Sequence, residues 1–233
     1  MDFTERVSAH AALGDPRRLR VADHLALGDH TVAELAELTG MSGNLLAHHL
    51  DVLETAGLIE RRTSEGDHRR RYVSLRWDRL PSGLQAPEWV TGGLLFVCTH
   101  NSARSQFAAA LWKERTGRAA ESAGSHPSAE VHPKAVEVAA EFGIDISAAE
   151  PSCYEQLRMR PDLVVSVCDR AREGGAPTGR RHLHWSVPDP VEVGTLGAFR
   201  TAFSEIVERV EHLAKALVAP RFDPETEPRI VTT

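Results

Sequence analysis

Cys98 and Arg104 are the residues of this chain whose types and spacing most clearly indicate chemistry. Cys98 follows the apolar run 94–97, and Arg104 comes six positions later, after the polar stretch 99–102. A thiolate is a nucleophile, and a guanidinium can hold two oxygens of an anion. The alternative is that Cys98 is a buried core residue beside a surface arginine, with no chemical role. Polar residues at 99–102 would not contribute to a hydrophobic core, so the pattern favours a site for oxyanion chemistry.

The segments on either side of the pair predict how it is positioned. Residues 94–98 predict a buried strand, and residues 104–116 predict a helix that ends at Gly117. The chain between them must curl, so its N–H groups point inward. Together with the positive end of the helix, these groups favour binding of an anion and ionisation of the Cys98 thiol. Ser105 can donate to the sulfur and Asn101 can brace the loop. The predicted oxyanion-binding residues are Thr99, His100, Asn101, Ser102, Ala103, Arg104 and Ser105.

Asp189 is the candidate acid for the leaving oxygen. It stands between Pro188 and Pro190, just after the segment 180–187, which predicts a fourth strand. In a parallel sheet the carboxyl ends of the strands gather at one edge, where ligands bind. We therefore expect Asp189 on the same edge as Cys98, and favour this role over that of a plain turn aspartate.

Residues 94–218 alternate strand-like and helical segments, which predicts an α/β fold with a four-stranded parallel sheet and helices on both faces. The further strands are predicted within 119–125 and 162–168, and further helices over 132–143 and 196–218. The last fifteen residues, 219–233, contain three prolines and are predicted to be a loose tail.

Residues 94–218 resemble the low-molecular-weight tyrosine phosphatase fold and, within it, the arsenate reductases. The residues that carry the resemblance are Cys98 to Gln106 together with Asp189 and Pro190. Gln106 is usual in the reductases, where the phosphatases commonly carry proline. Residues 191–194 lack the tyrosines that tend to receive a phosphotyrosine ring. The resemblance implies strand order 2-1-3-4 and reduction of arsenate.

Cys168 is the candidate second thiol. In the implied strand order, the strand that it ends lies beside the strand that ends in Cys98, within plausible reach of a disulfide after a small loop movement. A cysteine that merely fills space at a strand end is the alternative. Cys153 is expected to be incidental.

The implied mechanism has three steps. Cys98 attacks arsenate while Asp189 protonates the departing oxygen, a second thiol releases arsenite as a disulfide forms, and an external reductant restores the enzyme. Thioredoxin-coupled relatives use a further cysteine shortly after the second one, whereas residues 171–177 contain none. Thioredoxin, glutaredoxin and mycothiol all remain candidate reductants, and no bound cofactor is expected.

Residues 1–80 predict short helices followed by a hairpin. Asp15 and Pro16 start one helix, Thr31 with Glu34 forms a capping box, and Ser42 is the next predicted cap. Gly57 ends that helix, and a polar turn within 59–75 joins two β-rich runs. This is the pattern of a winged helix-turn-helix.

The N-terminal segment resembles the ArsR-type repressors, which implies operator DNA as a partner and a homodimer. By the resemblance, a recognition helix and a basic wing contact DNA, and the alternative is a solvated hairpin with a role in dimerisation only. Residues 1–97 lack cysteine, the usual means of arsenite binding in the family, and the adjacent His48 and His49 point in different directions, so no metal site is predicted. The predicted DNA-binding residues are Ser42, Asn44, Ala47, His48, Arg69, Arg70 and Arg71.

Composition limits the remaining possibilities. A net charge of −6 argues against general nucleic-acid binding, and three cysteines are too few for a disulfide framework. No apolar run is long enough for a membrane span, and no signal-peptide core opens the chain, so we expect a soluble, cytoplasmic protein.

The combined prediction is a winged-helix domain (1–80), a linker (81–93), an arsenate reductase domain (94–218) and the tail (219–233). Two alternatives remain open. One is a phosphatase of the same fold, and the other is a DNA-binding regulator whose C-terminal domain only senses an oxyanion or the redox state.

Overall fold

A computed structural model of the chain describes residues 2–80, 89–90, 93–157, 161–177 and 181–218. Most of the predicted linker and all of the predicted tail lie outside these residues. Within the linker, β4 (Trp89–Val90) pairs in parallel with β9 (Leu217–Val218) at the end of the last helix. Neither strand is predicted from the sequence, because a two-residue strand has no periodicity to recognise.

Four helices open the chain, and their starting residues explain where they begin. They are α1 (Phe3–Leu13), α2 (Pro16–Leu25), α3 (Val32–Thr39) and α4 (Gly43–Thr55). The Asp15 side chain accepts from the first turn of α2, and Thr31 forms the predicted capping box with Glu34. Ser42 occupies the predicted N-cap position of α4, although its side chain makes no capping hydrogen bond.

The predicted hairpin consists of β2 (Ile59–Thr63) and β3 (Arg71–Leu75), antiparallel and in register from Ile59–Leu75 to Thr63–Arg71. We call residues 64–70, which join these strands, the wing turn. The two residues of β1 (His30–Thr31) add a third strand on the other side of β3. Leucines of α3 and α4, Leu35, Leu46, Leu50 and Leu53, form the centre of the hydrophobic core under this sheet.

The C-terminal sheet has four parallel strands in the order β6-β5-β7-β8, which is the 2-1-3-4 order expected. The strands are β5 (Leu94–Cys98), β6 (Glu121–Gly124), β7 (Leu163–Ser166) and β8 (Arg181–His184). All five residues of β5 and all four of β7 are buried, because helices cover both faces of the sheet. The predicted fold class is confirmed.

The helices of this half are α5 (Arg104–Thr116), α6 (Pro133–Glu141), α7 (Asp169–Glu173), α8 (Pro190–Val193) and α9 (Leu196–Ala216). The third strand ends at Ser166, two residues earlier than predicted. Cys168 instead occupies the cap position of α7, where its Sγ accepts from Ala171 N at 3.4 Å. No helix among the described residues is both long enough and apolar enough to cross a membrane.

The two halves of the chain contact each other through buried polar groups. The Asp29 carboxylate pairs with Arg209 at 2.9 Å and accepts from Ser186 N at 2.6 Å. The Trp185 indole donates to Leu27 O at 2.9 Å. These contacts join the segment between α2 and β1 to the C-terminal half, and the hairpin contacts Asp169 and Glu173, which follow β7.

Candidate active site

The segment between β5 and α5 curls around the sulfur of Cys98. The backbone N–H of Asn101 donates to Cys98 Sγ at 3.0 Å, and Ser105 Oγ lies 3.0 Å from the same sulfur. Asn101 Nδ2 donates to Ser105 Oγ at 2.8 Å, which leaves the hydroxyl proton of Ser105 free to point at the sulfur. Two hydrogen bonds therefore end on Cys98.

Asn101 holds the tightest part of this curl. Its φ of 49° lies in the left-handed region, and it is the one non-glycine residue with positive φ in the described part of the chain. Its Oδ1 accepts from Ser152 N at 2.9 Å and from Gln106 Nε2 at 3.1 Å. The side chain of Asn101 thus ties the loop to α5 and to the loop before Cys153.

The carbonyl groups of the loop face a supporting segment, residues 126–132. Thr99 O, His100 O and Ser102 O accept from His126 N, Ser128 N and His132 N, at 2.8, 2.9 and 2.9 Å. The N–H and C=O of a trans peptide point in opposite directions, so the following amides, at 100, 101 and 103, face the other way. The donor at 101 indeed reaches Cys98 Sγ.

Gly124, at the end of β6, is part of this support and is not predicted as a site residue from the sequence. A Cβ at this position would lie 2.6 Å from Thr99 O and 3.0 Å from Asn101 N. Only a residue without a side chain allows the loop to approach the strand so closely. The local signal is a glycine at a predicted strand end, and glycine is common at strand ends that approach no functional loop.

Arg104 is 4% exposed and surrounded by acceptors. Its Nη2 pairs with Asp189 Oδ2 at 2.6 Å, and its Nη1 donates to Val187 O at 2.8 Å and to Glu65 Oε2 at 3.3 Å. Burial opposes the charge of Arg104, but Cys168, Asp189 and the other acidic neighbours outweigh it and raise its pKa. The guanidinium therefore stays charged in a pocket closed to bulk water.

Asp189 lies where the sequence places it, at the start of α8, and is 5% exposed. Its Oδ1 accepts from Val191 N at 3.0 Å, which fixes the carboxylate while Oδ2 contacts Arg104. The structure thus brings Cys98, Arg104 and Asp189 to one edge of the sheet.

Cys168 is buried next to the loop. Its Sγ lies 3.5 Å from Thr99 Oγ1, and the adjacent strands hold it near Cys98, since Val167 N donates to Val97 O at 2.8 Å. Burial raises the pKa of the Cys168 thiol, and the neighbouring Arg104 opposes this effect. No disulfide joins the three cysteines, all of which lie in the described part of the chain, and Cys153 is half-buried in the loop before the turn at residues 154–156.

Glu65 belongs to the wing turn, yet its carboxylate reaches the site. Oε2 contacts Arg104, and Oε1 accepts from Asp189 N at 2.7 Å. No local pattern in the sequence could have revealed this contact, which joins residues 124 positions apart.

The predicted DNA-binding residues lie on two surfaces. Ser42, Asn44, Ala47 and His48 are exposed along one side of α4, whereas the neighbouring His49 is buried. Arg69, Arg70 and Arg71 are exposed in the wing. Asp67 pairs with Arg69 at 2.9 Å and with Arg70 at 3.5 Å, and the hydrogen bond from Arg69 lowers the pKa of Asp67 to about 2. Within the described ranges, no cluster of three or more His, Cys, Asp or Glu could hold a metal ion.

Comparison with known proteins identifies the C-terminal half. Residues 93–221, more than half of the chain, match the family of low molecular weight phosphotyrosine protein phosphatases. The chain belongs to this family. Residues 15–70 match the MarR family, so the N-terminal half is a winged-helix regulator region.

Relatives within the low molecular weight phosphatase family include arsenate reductases. An arsenate reductase of Halalkalibacterium halodurans is 34% identical over 132 residues, which cover 52% of this chain and 94% of the relative. A glutaredoxin arsenate reductase of Synechocystis sp. is 32% identical over 124 residues, with the same two coverages. The solved arsenate reductase of Archaeoglobus fulgidus is 31% identical, with a TM-score of 0.47 over 52% of this chain and 98% of that one.

Proposed function

We propose that the protein is a thiol-dependent arsenate reductase joined to a DNA-binding regulator of the ArsR type. The observation that carries the proposal is the cradle around Cys98, in which the sulfur accepts from Asn101 N at 3.0 Å. Beside it, a buried Arg104 pairs with Asp189 at 2.6 Å. Such a loop is suited to a tetrahedral oxyanion held against a thiolate. The arsenate reductases among the relatives support arsenate as the substrate.

In the first step, the Cys98 thiolate attacks arsenic and a sulfur–arsenic bond forms. The backbone amides at 100, 101 and 103 and the Arg104 guanidinium hold the oxygens. The Ser105 hydroxyl donates to the sulfur, and Asp189 protonates the oxygen that departs as water. An oxyanion at this position competes with Asp189 for Arg104. Once released from the guanidinium, the Asp189 carboxylate takes up a proton and then gives it to the departing oxygen.

In the second step, a thiolate attacks Cys98 Sγ and forms a disulfide. The electron pair of the sulfur–arsenic bond stays on arsenic, so As(V) becomes As(III) and arsenite leaves. Cys168 is the proposed attacking residue, because it lies on the neighbouring strand connection and against Thr99. An external dithiol, or a small thiol such as mycothiol, then reduces the disulfide.

The proposed domains are a winged-helix domain at 1–80, a linker at 81–93, a reductase domain at 94–218 and a tail at 219–233. Two hydrophobic cores support this division, since apart from Leu27 each is built from residues of one domain. The exposed side of α4 and the wing arginines support binding of operator DNA, and a homodimer in the cytoplasm is proposed by analogy with other regulators of this kind. The ArsR assignment rests on sequence motifs alone.

The test of the enzymatic proposal is arsenate reduction with thioredoxin, glutaredoxin and mycothiol systems compared side by side. We expect arsenite to form over many turnovers with at least one system and not at all with Cys98→Ser. Stoichiometric binding of arsenate without turnover would instead identify a sensor.

Cysteine variants test the second step. Cys168→Ser should abolish reduction through an internal disulfide while leaving aryl phosphate hydrolysis by Cys98 intact. Cys153→Ser is the matched control and should keep both activities. Reduction that persists in Cys168→Ser with a small thiol would show that the external thiol attacks Cys98 directly. Hydrolysis of aryl phosphate with no arsenate reduction under any condition would support the phosphatase alternative, for which the family match is the favouring observation.

A further inference from the structure

One carboxylate of the N-terminal half reaches the candidate active site. Glu65 Oε2 lies 3.3 Å from Arg104 Nη1, and Glu65 Oε1 accepts from Asp189 N at 2.7 Å. Arg104 therefore faces two carboxylates, those of Asp189 and Glu65. Asp189 is accounted for by the proposed chemistry as the acid, and Glu65 is not.

The position of Glu65 is held by the backbone as well as by its carboxylate. Glu65 N donates to Asp169 Oδ2 at 2.8 Å, and Arg170 Nε donates to Glu65 O at 3.3 Å. On either side, Ser64 Oγ donates to Glu173 Oε1 at 2.8 Å and Asp67 N donates to Glu173 Oε2 at 2.6 Å. The wing turn is thus docked on α7, and this docking delivers a negative charge to the oxyanion pocket.

A carboxylate in contact with Arg104 competes with any other anion for that guanidinium. Both are negatively charged, and in a pocket shielded from water their repulsion is stronger than at an open surface. Binding of an oxyanion is therefore favoured when Glu65 leaves, and the retention of Glu65 is favoured when no oxyanion is bound.

We propose that Glu65 sets the oxyanion affinity of the site as an internal competitor that an inorganic oxyanion must displace from Arg104, so that oxyanion binding releases the wing turn from α7. The inference rests on the proposed function, since it requires that Cys98 to Ser105 bind an oxyanion. Linkage is reciprocal, so docking of the wing turn lowers the affinity for the oxyanion by the same factor by which a bound oxyanion weakens the docking. The two halves of the chain then communicate through one residue.

The first measurement is the dissociation constant of inorganic phosphate, an oxyanion that the reductase does not reduce, for the full-length reduced protein by calorimetry. Glu65→Gln keeps the size of the side chain and the backbone contacts but removes the charge, and we expect about tenfold tighter phosphate binding, within the usual range of such couplings. Glu60→Gln is the matched control, because Glu60 lies on the same hairpin but pairs with Arg62 at 2.5 Å. Its phosphate affinity should equal that of the wild type.

The second measurement is hydrogen exchange of the amides of Glu65 and Asp67, whose acceptors Asp169 and Glu173 belong to α7. Phosphate should accelerate their exchange in the wild-type protein. An affinity in Glu65→Gln that is unchanged or weaker, or amides that phosphate leaves equally or better protected, would overturn the inference while leaving the oxyanion site in place. A wild-type protein that binds neither phosphate nor arsenate would overturn the proposed function itself.

Discussion

Gly124→Ala tests whether the backbone of residues 99–103 is the functional part of the site. The added Cβ would lie 2.6 Å from Thr99 O, 3.0 Å from Asn101 N and 3.1 Å from His100 C. All three atoms belong to the backbone, so no side-chain rotation can relieve the contact. Since ordinary contacts begin at 3.4 Å, Thr99 O must move by about 0.8 Å.

The displacement acts directly on the groups that would hold the oxyanion. A misplacement of about 1 Å in a catalytic arrangement costs on the order of 100-fold in rate. Overpacking of a close-packed site destabilises a protein by about 1–3 kcal/mol. We therefore expect the kcat/KM of Gly124→Ala for arsenate to fall about 100-fold, phosphate binding to weaken, and the free energy of unfolding to fall by about 1–3 kcal/mol.

The assay combines arsenate reduction and phosphate calorimetry with urea unfolding, so that activity is expressed per folded molecule. Gly43→Ala is the control, because a Cβ at Gly43 meets no atom within 4 Å. It should leave activity and stability close to those of the wild type. A Gly124→Ala protein that is folded and binds phosphate with wild-type affinity would refute the idea that this close approach shapes the loop.

Two further predictions concern stability. Burial lowers the pKa of His182 to about 4, below its ordinary value of 6.5. Between these two pH values the unfolded chain binds a proton at His182 and the folded protein does not, so the free energy of unfolding decreases as pH falls from about 6.5 to about 4. At this half-buried site the loss at pH 5 should be about 1 kcal/mol. Between pH 7.5 and pH 5, urea unfolding should show that the wild type loses more stability than His182→Gln by this amount, because His30, His49 and His212, whose pKa values burial also lowers, titrate in both proteins. Arg209→Met leaves the buried Asp29 without its partner and should lower the free energy of unfolding by about 3–5 kcal/mol. Asp29→Asn combined with Arg209→Met should recover part of this loss, and an unchanged stability of the single variant would show that the pair contributes nothing.

The prediction of the C-terminal fold succeeded because its signals are local and repeated. Apolar runs at 94–98 and 163–166 are buried strands, and the glycine after residue 116 ends α5 with a φ of 67°. The order of the strands came from the family resemblance. Cys98, Arg104 and Asp189 were predicted from their residue types and from their places after apolar or strand-like segments, and the fold places them together.

The details that were missed depend on contacts between residues distant in sequence, or on strands too short to form a sequence pattern. The two-residue strands β1, β4 and β9 exist only because another segment lies beside them. The position of Cys168 at a helix cap follows from where β7 stops pairing. Ser42 stands at the predicted cap position, but its side chain makes no capping hydrogen bond, because a suitable residue type does not ensure that the side chain bonds to the backbone.

The amino-acid sequence by itself determined the helices, the hairpin, the parallel sheet and the curl between Cys98 and Arg104, because periodicity, caps and turn residues act over a few positions. Only the tertiary structure decided that Gly124 supports the curl, that Asp29 pairs with Arg209, and that Glu65 reaches the guanidinium of Arg104. Shape complementarity within the C-terminal half selects the first of these contacts, and charge complementarity between the halves selects the other two. None of these residues has a local sequence pattern that indicates its partner.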